Sequence, residues 1–332
     1  MTAVPRRYVL DEYWRLAAER QRIFFSRIRG EEPPWTDDRI LANFKFCNAY
    51  RASDRVSQYL IRNVIYRDPG SFAAEDQLLR IVFFRLFSKI ETWEAVEERV
   101  GTLNVETFDV EAIDDCLEEM RGEGRSIYTS AFILCANRAY GHERKHRNHL
   151  ALLGEMFGEG RLPAEIGAAE SLESVYEALT SYPLIGPFMA YQIAIDVNYS
   201  ELIDFSEDEF TVPGPGALRG MQKCFKDFGG LSHRELIDYM VERQEAEFDR
   251  LELDFCSLFG RRLHAIDCQN LFCEVDKYSR EAFPELKSAR SRIKTRYVPK
   301  QRNLELFYPP KWGLEVEPAG VGARYPIPDQ LF

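Results

Sequence analysis

Apolar residues recur at three- and four-residue spacing along most of this chain, a pattern typical of amphipathic helices. The pattern predicts helices over 11–28, 38–66, 74–100, 112–123, 126–141, 172–182, 188–199, 233–251 and 261–283. Alternation of apolar and polar positions is scarce, and 201–205 is the best candidate for a strand. Pro and Gly gather between the helices, at 30–35, 158–163, 182–187, 212–220 and 309–328. We expect a mostly α protein, with a helical domain over 1–300 and an irregular Pro-rich tail over 301–332.

The composition is that of a folded, water-soluble protein. Hydrophobic residues make up 45% of the 332 residues and aromatic residues 13%, which argues against a disordered chain. No apolar run approaches the roughly 20 residues of a membrane-spanning helix, and the N-terminus lacks the apolar core of a signal peptide. The seven cysteines are irregularly spaced, which favours free thiols. We expect a cytoplasmic protein, in the host cytoplasm if a phage encodes it, with no membrane partner.

The charge is acidic overall but unevenly distributed. A net charge of −11 argues mildly against nucleic-acid binding, which depends on neutralising phosphates. Acidic residues crowd 106–123 and 243–254, whereas basic residues crowd 287–302, here called the basic strip. The strip supplies four predicted DNA contacts, Arg290, Arg292, Lys294 and Arg296. The same distribution is equally compatible with an ordinary soluble protein.

Motifs for metal and nucleotide binding give little support to either function. The stretch His142–His146 reads HERKH and matches the zinc-protease motif H-E-x-x-H. Its surroundings are polar, however, and His149 is too close to serve as the usual third ligand. Three cysteines match no common metal-binding spacing: Cys256, Cys268 and Cys273. His233 and His264 match no motif, and the sequence contains no G-x-x-x-x-G-K-[ST], no G-x-G-x-x-G and no Ser nucleophile elbow, so we expect neither a metal site nor a common nucleotide-binding loop.

The stretch Tyr182–Gln192 reads YPLIGPFMAYQ and joins two predicted helices. At Gly186 the second helix begins, and free backbone N–H groups at a helix N-terminus attract anions such as DNA phosphates. On this interpretation Gly186, Phe188 and Tyr191 contact DNA. A tight connection between two helices explains the same residues without any binding role, and the stretch alone does not decide between them.

Polar residues and a second Pro–Gly turn follow. Gln192 and Asp196 lie one helical turn apart on one helix face. Glu207 and Asp208 come next, and then TVPGPGALRG at 211–220, which can open another helix towards an anion. The predicted anion contacts of this turn are Gly214, Gly216 and Arg219. A purely structural loop at the start of a helix is the alternative.

The order of these features resembles the helix-hairpin-helix DNA glycosylase superfamily. In that superfamily a hairpin of the form L-P-G-V-G precedes a catalytic Asp, and the cluster Glu207–Glu209 stands in that place relative to Gly186. The lysine of lyase-type glycosylases is absent, because the positions after Gly186 are Pro187, Phe188 and Met189. The resemblance therefore does not imply Schiff-base chemistry.

Three groups of polar residues interrupt otherwise apolar helices. The groups are Arg51, Asp54 and Arg55; Arg85, Lys89, Glu91 and Trp93; and Asp267, Asn270, Glu274 and Lys277. Each group fits an exposed helix face with ion pairs at i,i+4 spacing. Their mixture with aromatic residues also fits the lining of a cleft. Nine of these residues are predicted to bind substrate: Arg51, Asp54, Arg55, Lys89, Glu91, Trp93, Asn270, Glu274 and Lys277.

Five blocks together resemble the helical-domain family of phage 5-hydroxymethyluracil DNA kinases and α-glutamyl/putrescinyl thymine pyrophosphorylases. The blocks are FCNAYRASDR, FRLFSKIETWE, YPLIGPFMAYQIAID, GPGALRG and NLFCEVDKYSR, and the similarity covers about 35–300. It implies a glycosylase-like helix-hairpin-helix fold with two helical lobes around a cleft. Kinase members add a P-loop domain, whose motif this sequence lacks. The chain therefore resembles the pyrophosphorylase branch.

That branch implies a transferase that hypermodifies thymine in double-stranded DNA. An amine or amino acid displaces pyrophosphate from 5-(pyrophosphoryloxymethyl)uracil. The base must leave the helical stack, and its expected aromatic contacts are Trp93, Phe188 and Tyr191. The cations expected to stabilise the departing pyrophosphate are Arg51, Arg55, Lys89 and Arg219.

The incoming amine must lose a proton, which implies a carboxylate of suitable pKa. Asp208 is the first candidate and Asp196 the second, with Glu207 and Gln192 beside them. Mg²⁺ that accompanies the pyrophosphate is compatible with this scheme, and no other cofactor is implied. Two alternatives stay open: a monofunctional glycosylase acting on a modified thymine, and a non-catalytic helix-hairpin-helix DNA-binding module.

Overall fold

The structure, a computed structural model, describes residues 3–129, 138–286, 293, 295–297 and 306–316. It is mostly α, as the periodicity predicts. The helices are α1 Arg7–Ile28, α2 Arg39–Asn43, α3 Arg55–Tyr59, α4 Ala74–Phe87, α5 Ile90–Val100, α6 Val110–Gly122, α7 Lys145–Gly158, α8 Arg161–Gly167, α9 Leu172–Thr180, α10 Pro187–Asn198, α11 Pro215–Cys224, α12 His233–Arg250 and α13 Ala265–Ala282. None of the described helices is long and apolar enough to cross a lipid bilayer.

The described residues also form short strands and short turns of 3-10 helix. Two short strands pair antiparallel, β1 Val4–Pro5 with β2 Phe225–Asp227. A turn of 3-10 helix covers Arg51–Ser53, and another covers Pro310–Trp312. The weak strand candidate at 201–205 forms no strand. The pairing of β1 with β2 joins distant parts of the sequence, which periodicity within short windows does not detect.

The helix predicted over 38–66 is wrong as a single element. The chain instead forms α2, an extended loop, a 3-10 turn, α3 and a π-helical segment Leu60–Ile65. Side chains replace helical carbonyls as acceptors in the loop: Asp54 accepts from the N–H of Asn48 at 2.8 Å, and Glu274 accepts from that of Cys47 at 3.0 Å. Tertiary hydrogen bonds therefore override the helical pattern here.

The helix predicted over 74–100 is divided at Ser88. Ser88 has a left-handed backbone, φ 49°, and its hydroxyl donates to the carbonyl of Arg85 at 2.6 Å. The break re-aims the chain, so that α5 turns its apolar face inward and buries Trp93 against Phe83 and Phe84. Both halves stay helical, which explains why the apolar spacing seemed continuous.

Helices α11 and α13 pack closely because α11 carries glycines on its facing side. A Cβ on Gly220 would collide with the backbone carbonyl of Phe272, and a Cβ on Gly216 would lie 2.9 Å from Sγ of Cys273. Gly214, the residue before α11, would likewise meet the ring of Phe188 at 2.6 Å. These contacts bring the start of α11 next to the start of α10.

Helices α9 and α10 are neighbours joined by residues 181–186. Within this connection Leu184 has φ 68°, a conformation that costs a non-glycine residue roughly 1 kcal/mol. Gly186 itself has φ −79° and precedes Pro187, which begins α10. Nearly the whole of α10 is buried from Met189 onwards, so this helix forms the centre of the core.

Candidate functional site

The centre of the candidate site is a buried carboxylate between two guanidinium groups. Asp196 of α10 has no exposed surface, and Oδ1 lies 2.8 Å from Nη2 of Arg51 and 2.9 Å from Nη2 of Arg85. Nε of Arg85 also donates to its Oδ2. Gln192, one turn earlier, accepts from Nε of Arg51 at 3.0 Å. The structure therefore joins three predicted site residues, and adds Arg85 as a direct partner.

The electrostatics of this cluster keep its guanidinium groups charged. Burial acts to lower the pKa of Arg51, but the charge of Asp196 outweighs burial and raises it. Burial lowers the pKa of Arg85, with the nearby Arg51 cation adding to the effect and Asp196 opposing it. An arginine starts so far above neutral pH that it stays charged. Asp196 is accordingly occupied as the counter-ion of both arginines.

Asp267, in the first turn of α13, connects this cluster to a second group. Oδ1 accepts from the backbone N–H of Arg51 at 2.8 Å, and Oδ2 accepts from that of His264 at 3.1 Å. Burial raises the pKa of Asp267 to about 6, and the charge of Glu207 adds to this effect. Asp267 thus holds the turn at Arg51 against the start of α13.

Asp208 is held at the same helix start. Oδ1 accepts from the N–H of Ala265 at 2.9 Å, and Oδ2 lies 3.0 Å from Nδ1 of His264. Burial acts to raise the pKa of Asp208, but the hydrogen bonds and charge of His264, together with the Ala265 N–H, bring it below its usual range. Both side chains are partly exposed, 35% for Asp208 and 19% for His264. They form the part of the cluster that a substrate can reach.

Glu207 and the segment 306–316 complete this side of the site. Glu207 pairs with Nη2 of Arg261 at 2.8 Å, and the Arg261 guanidinium lies 3.7 Å from the ring centre of Trp312. Trp312 packs edge-on against Tyr199, whose ring lies beneath Arg51. Residues 306–316, which include the 3-10 turn Pro310–Trp312, pack directly beside the candidate site.

Several predicted substrate contacts lie in the core or in structural pairs instead. Trp93 and Tyr191 are 1% and 0% exposed, so neither ring is available to stack on a base without rearrangement. Glu274 pairs with Lys277 at 2.7 Å, and Lys277 also donates to the carbonyl of Lys45. With Asp54, these residues hold the loop 44–50, and burial raises the pKa of Asp54 to about 6.

Arg219 belongs to a separate cluster. Its Nε lies 3.1 Å from Oδ2 of Asp276, and Lys223 and Arg280 contact the same carboxylate. Asp276 is nine residues beyond Asp267 on α13, which is roughly 13 Å at the helical rise. Arg219 therefore does not converge with Asp196 and Asp208. Gly214 and Gly216 lie at the α10 and α13 contacts described above, where their missing side chains permit close packing.

The remaining predicted residues lie at the surface or near it. Arg55 and Glu91 are exposed, Lys89 donates to the carbonyl of Ser126, and Asn270 is partly exposed. Gly186 is exposed at the start of α10, and Phe188 is partly buried beside it. The Arg296 guanidinium lies 4.7 Å from the ring centre of Phe44. Three members of the basic strip lie outside the described residues: Arg290, Arg292 and Lys294.

Three potential metal ligands meet elsewhere in the described part of the chain. Ligand atoms of Asp114, Glu118 and His146 all lie within 4.8 Å of one another. Arg147 already donates to both oxygens of Asp114 at 3.0 Å, which makes the group an ion-pair network. His142 precedes α7, which begins at Lys145, so the two histidines of HERKH do not share a helix face. HERKH therefore lacks the helix geometry of the zinc-protease motif.

A groove of about 500 Å³ lies apart from the Asp196–Asp208 site. Charged and apolar residues of α1, α2 and α13 line it together with the chain after α12, among them Glu12, Arg15, Glu19, Asp38, Asp254 and Tyr278. Tyr278 donates to Asp38 at 2.6 Å across it. This groove contains no residue of the Asp196 cluster or of the Asp208–His264 pair. The candidate site is therefore assigned to Asp208 and His264 on the basis of their chemistry.

Sequence reasoning missed the partners that complete the site. His264, Arg261, Tyr199 and Trp312 were not selected, and Asp267 was noted only as part of a helical stripe. One signal was available: His264 and Asp267 stand three residues apart near the start of a predicted helix, the spacing of an N-cap residue and an acidic residue in the first turn. The contacts of the other residues join distant segments and leave no local pattern.

Comparison with known proteins identifies the family. Residues 7–288 match the family described as 5-hmdU DNA kinase, helical domain. A protein of Bacillus phage SP10 named 5-hmdU DNA kinase is 29% identical over 286 residues, which cover 81% of this chain and 44% of that protein. The chain thus spans less than half the length of this relative, and no solved structure matches it. Because the match covers most of the sequence, the chain belongs to the family of the 5-hmdU DNA kinase helical domain.

Proposed function

We propose that the protein modifies 5-hydroxymethyluracil derivatives in DNA, and that it replaces the pyrophosphate of 5-(pyrophosphoryloxymethyl)uracil with an amine or amino acid. The kinase name of the phage relative supports a substrate of the hydroxymethyluracil type. The 332 residues contain no P-loop motif for ATP phosphates. A transfer that consumes an already phosphorylated base requires no such motif.

The reaction forms one bond and breaks another at the exocyclic carbon of the base. The amine nitrogen bonds to this carbon, the carbon–oxygen bond breaks, and pyrophosphate leaves with the electron pair. A proton must pass from the amine to a base. The observation that carries the proposal is the partly exposed Asp208–His264 pair, which is held by Asp267 against a buried cluster of arginines.

On this proposal, Arg55 supplies the positive charge that stabilises the departing pyrophosphate. Arg51 and Arg85 are buried and paired with Asp196, so they shape the site and do not contact the leaving group. Arg55 is exposed, lies four residues from Arg51, and makes no ion pair with the described residues. Mg²⁺, if required, enters with the pyrophosphate.

DNA binding involves the start of α10 and the basic strip. Gly186 and Pro187 begin α10 at the surface, where backbone N–H groups can face phosphates. The base must turn out of the duplex to reach Asp208 and His264. Trp312, which is partly exposed beside Arg261, is better placed to contact it than the buried Trp93.

The test uses duplex DNA that carries pyrophosphorylated hydroxymethyluracil, incubated with the protein and a panel of labelled amino acids and diamines. We expect pyrophosphate release and retention of the label on DNA. Failure to release pyrophosphate with every amine would refute the transferase.

Two other outcomes identify the alternatives. Abasic sites would indicate a glycosylase, for which Asp208 follows the α9–α10 pair as in the helix-hairpin-helix superfamily. Tight DNA binding without chemistry, unaffected by Asp208→Asn, would indicate a binding module.

A further inference from the structure

His264 presents one ring nitrogen to the protein and the other towards the accessible part of the site. Nδ1 lies 3.0 Å from Oδ2 of Asp208, while Nε2 makes no hydrogen bond to the described residues. The residue immediately precedes α13, and its N–H is fixed by Asp267 at 3.1 Å. A hydrogen bond to one ring nitrogen determines the tautomer, which leaves a lone pair on the other. Asp267, through the backbone of His264, and Asp208, through its ring, thus fix the orientation of the imidazole.

Asp208 is poorly suited to accept the proton itself. Its two oxygens already accept from Ala265 and contact His264. The net effect of these contacts, which outweigh burial, is a lowered pKa, and a weakly basic carboxylate removes protons from amines slowly. The arrangement has the form of a carboxylate that orients an imidazole, as in catalytic sites built around a histidine base.

We infer that His264 is the catalytic base of the proposed transfer and that Asp208 is its positioning residue. This inference rests on the proposed function. Nε2 accepts a proton from the incoming ammonium group, the freed nitrogen pair bonds to the exocyclic carbon, and pyrophosphate departs with the electrons of the carbon–oxygen bond. Asp208 stabilises the imidazolium that forms.

The discriminating experiment compares a nucleophile that must lose a proton before it attacks with one that is already uncharged. An amino acid is mostly protonated on nitrogen at neutral pH, whereas O-methylhydroxylamine is already uncharged. The variant His264→Asn keeps an N–H donor for Asp208 and a residue favoured before a helix, but it has no basic nitrogen. Single-turnover label transfer is measured for both nucleophiles, with DNA affinity and thermal unfolding as checks on folding.

We expect His264→Asn to slow transfer of the amino acid about 100-fold or more, in line with general-base catalysis. The loss with O-methylhydroxylamine should be at least about ten times smaller. His233→Asn, the same change at the first residue of α12, is the matched control and should change neither rate. Higher pH should partly restore the His264→Asn rate with the amino acid.

A second variant covers the case in which His264→Asn does not fold. Gly is also tolerated before a helix, and His264→Gly leaves space for added imidazole, which should raise amino-acid transfer several-fold. Equal losses with both nucleophiles, or no loss, would overturn the role of His264 while wild-type transfer stands. Absence of transfer by the wild type with either nucleophile would instead overturn the proposed function.

Discussion

At the scale of single residues, Asp196 is the counter-ion of two buried cations. Replacing it by Asn leaves the guanidinium groups of Arg51 and Arg85 close together without a negative partner. Removing one partner of a buried ion pair typically costs about 3–5 kcal/mol. We therefore expect Asp196→Asn to lower the free energy of unfolding by that amount in urea titrations.

Asp249→Asn is the matched control for this change. Asp249 is exposed near the end of α12, where loss of a charge should change stability by less than about 0.5 kcal/mol. If the two variants lost the same stability, Asp196 would not be the counter-ion that its contacts indicate.

Asp267 predicts a pH dependence of stability. Its carboxyl has a pKa of about 6 in the folded protein against 3.8 ordinarily, so between these values the folded state binds more protons than the unfolded state. Stability from this group is therefore present below about pH 4 and lost as pH rises to about 6, by about 3 kcal/mol. Urea midpoints at intervals from pH 4 to 7 should show this loss in the wild type but not in Asp267→Asn. Parallel profiles would contradict it.

Arg55 allows a residue-scale test of the charge proposed for pyrophosphate. Arg55→Gln should reduce the rate of pyrophosphate release about 10-fold or more, because a cation is lost where negative charge develops. Its thermal stability should match the wild type, since the side chain is exposed. Arg39→Gln, at the exposed start of α2, is the control. A stability loss equal to the activity loss would point to a structural role.

At the scale of elements, the contact between α11 and α13 depends on Gly220. A methyl group there would collide with the carbonyl of Phe272, so Gly220→Ala should force the helices apart and cost about 2 kcal/mol or more. The control is Gly154→Ala in α7, where a Cβ meets nothing within 4 Å. That change should stabilise the protein by about 0.5–1 kcal/mol through helix propensity. Thermal unfolding should show a lower melting temperature for Gly220→Ala and a higher one for Gly154→Ala.

Local spacing predicted the long helices well but not their interruptions. The cores of α1, α10, α12 and α13 agree with the periodicity to within a few residues. The pattern missed the break at Ser88, because the residues on both sides remain helical and apolar. It also missed the loop 44–50, whose N–H groups bond to Asp54 and Glu274. The Glu274 bond joins residues 227 apart in sequence, which lies beyond any local window.

The candidate site was predicted in the same uneven way. Asp196, Gln192 and Arg51 were chosen for their types and spacing, and the structure brings them together. Arg219 was chosen on the same grounds but pairs with Asp276. Residue type indicates which side chains can do chemistry, whereas only the tertiary contacts decide which of them meet. His264 gave only the indication of its place near a helix start, because its chemical significance depends on Asp208.

At the scale of the whole molecule, the proposed DNA binding has to overcome a net charge of −11. If the basic strip contacts phosphates, replacing Arg290, Arg292, Lys294 and Arg296 by Gln should flatten the dependence of DNA affinity on salt. Each lost phosphate contact reduces the logarithmic slope by about 0.9, so a change of about 3.6 is expected for four contacts. Fluorescence anisotropy from low to moderate salt measures it.

A matched control removes four exposed arginines from other surfaces: Arg99, Arg125, Arg144 and Arg161. It alters the net charge equally, so a similar loss of slope would show that overall charge, and not the strip, controls affinity.

The bond from Asp267 to the backbone of Arg51 spans 216 residues, and this separation matters while the chain is being made. A ribosome delivers Arg51, Arg85 and Asp196 first, but Asp267 is residue 267 of 332. Until α13 emerges, the turn at Arg51 has no acceptor and Asp208 has no imidazole beside it. Chains that terminate before α13 therefore contain Arg51 and Arg85 but lack both Asp267 and His264. If His264 is the catalytic base, a chain that ends before α13 lacks the residue that the proposed transfer requires.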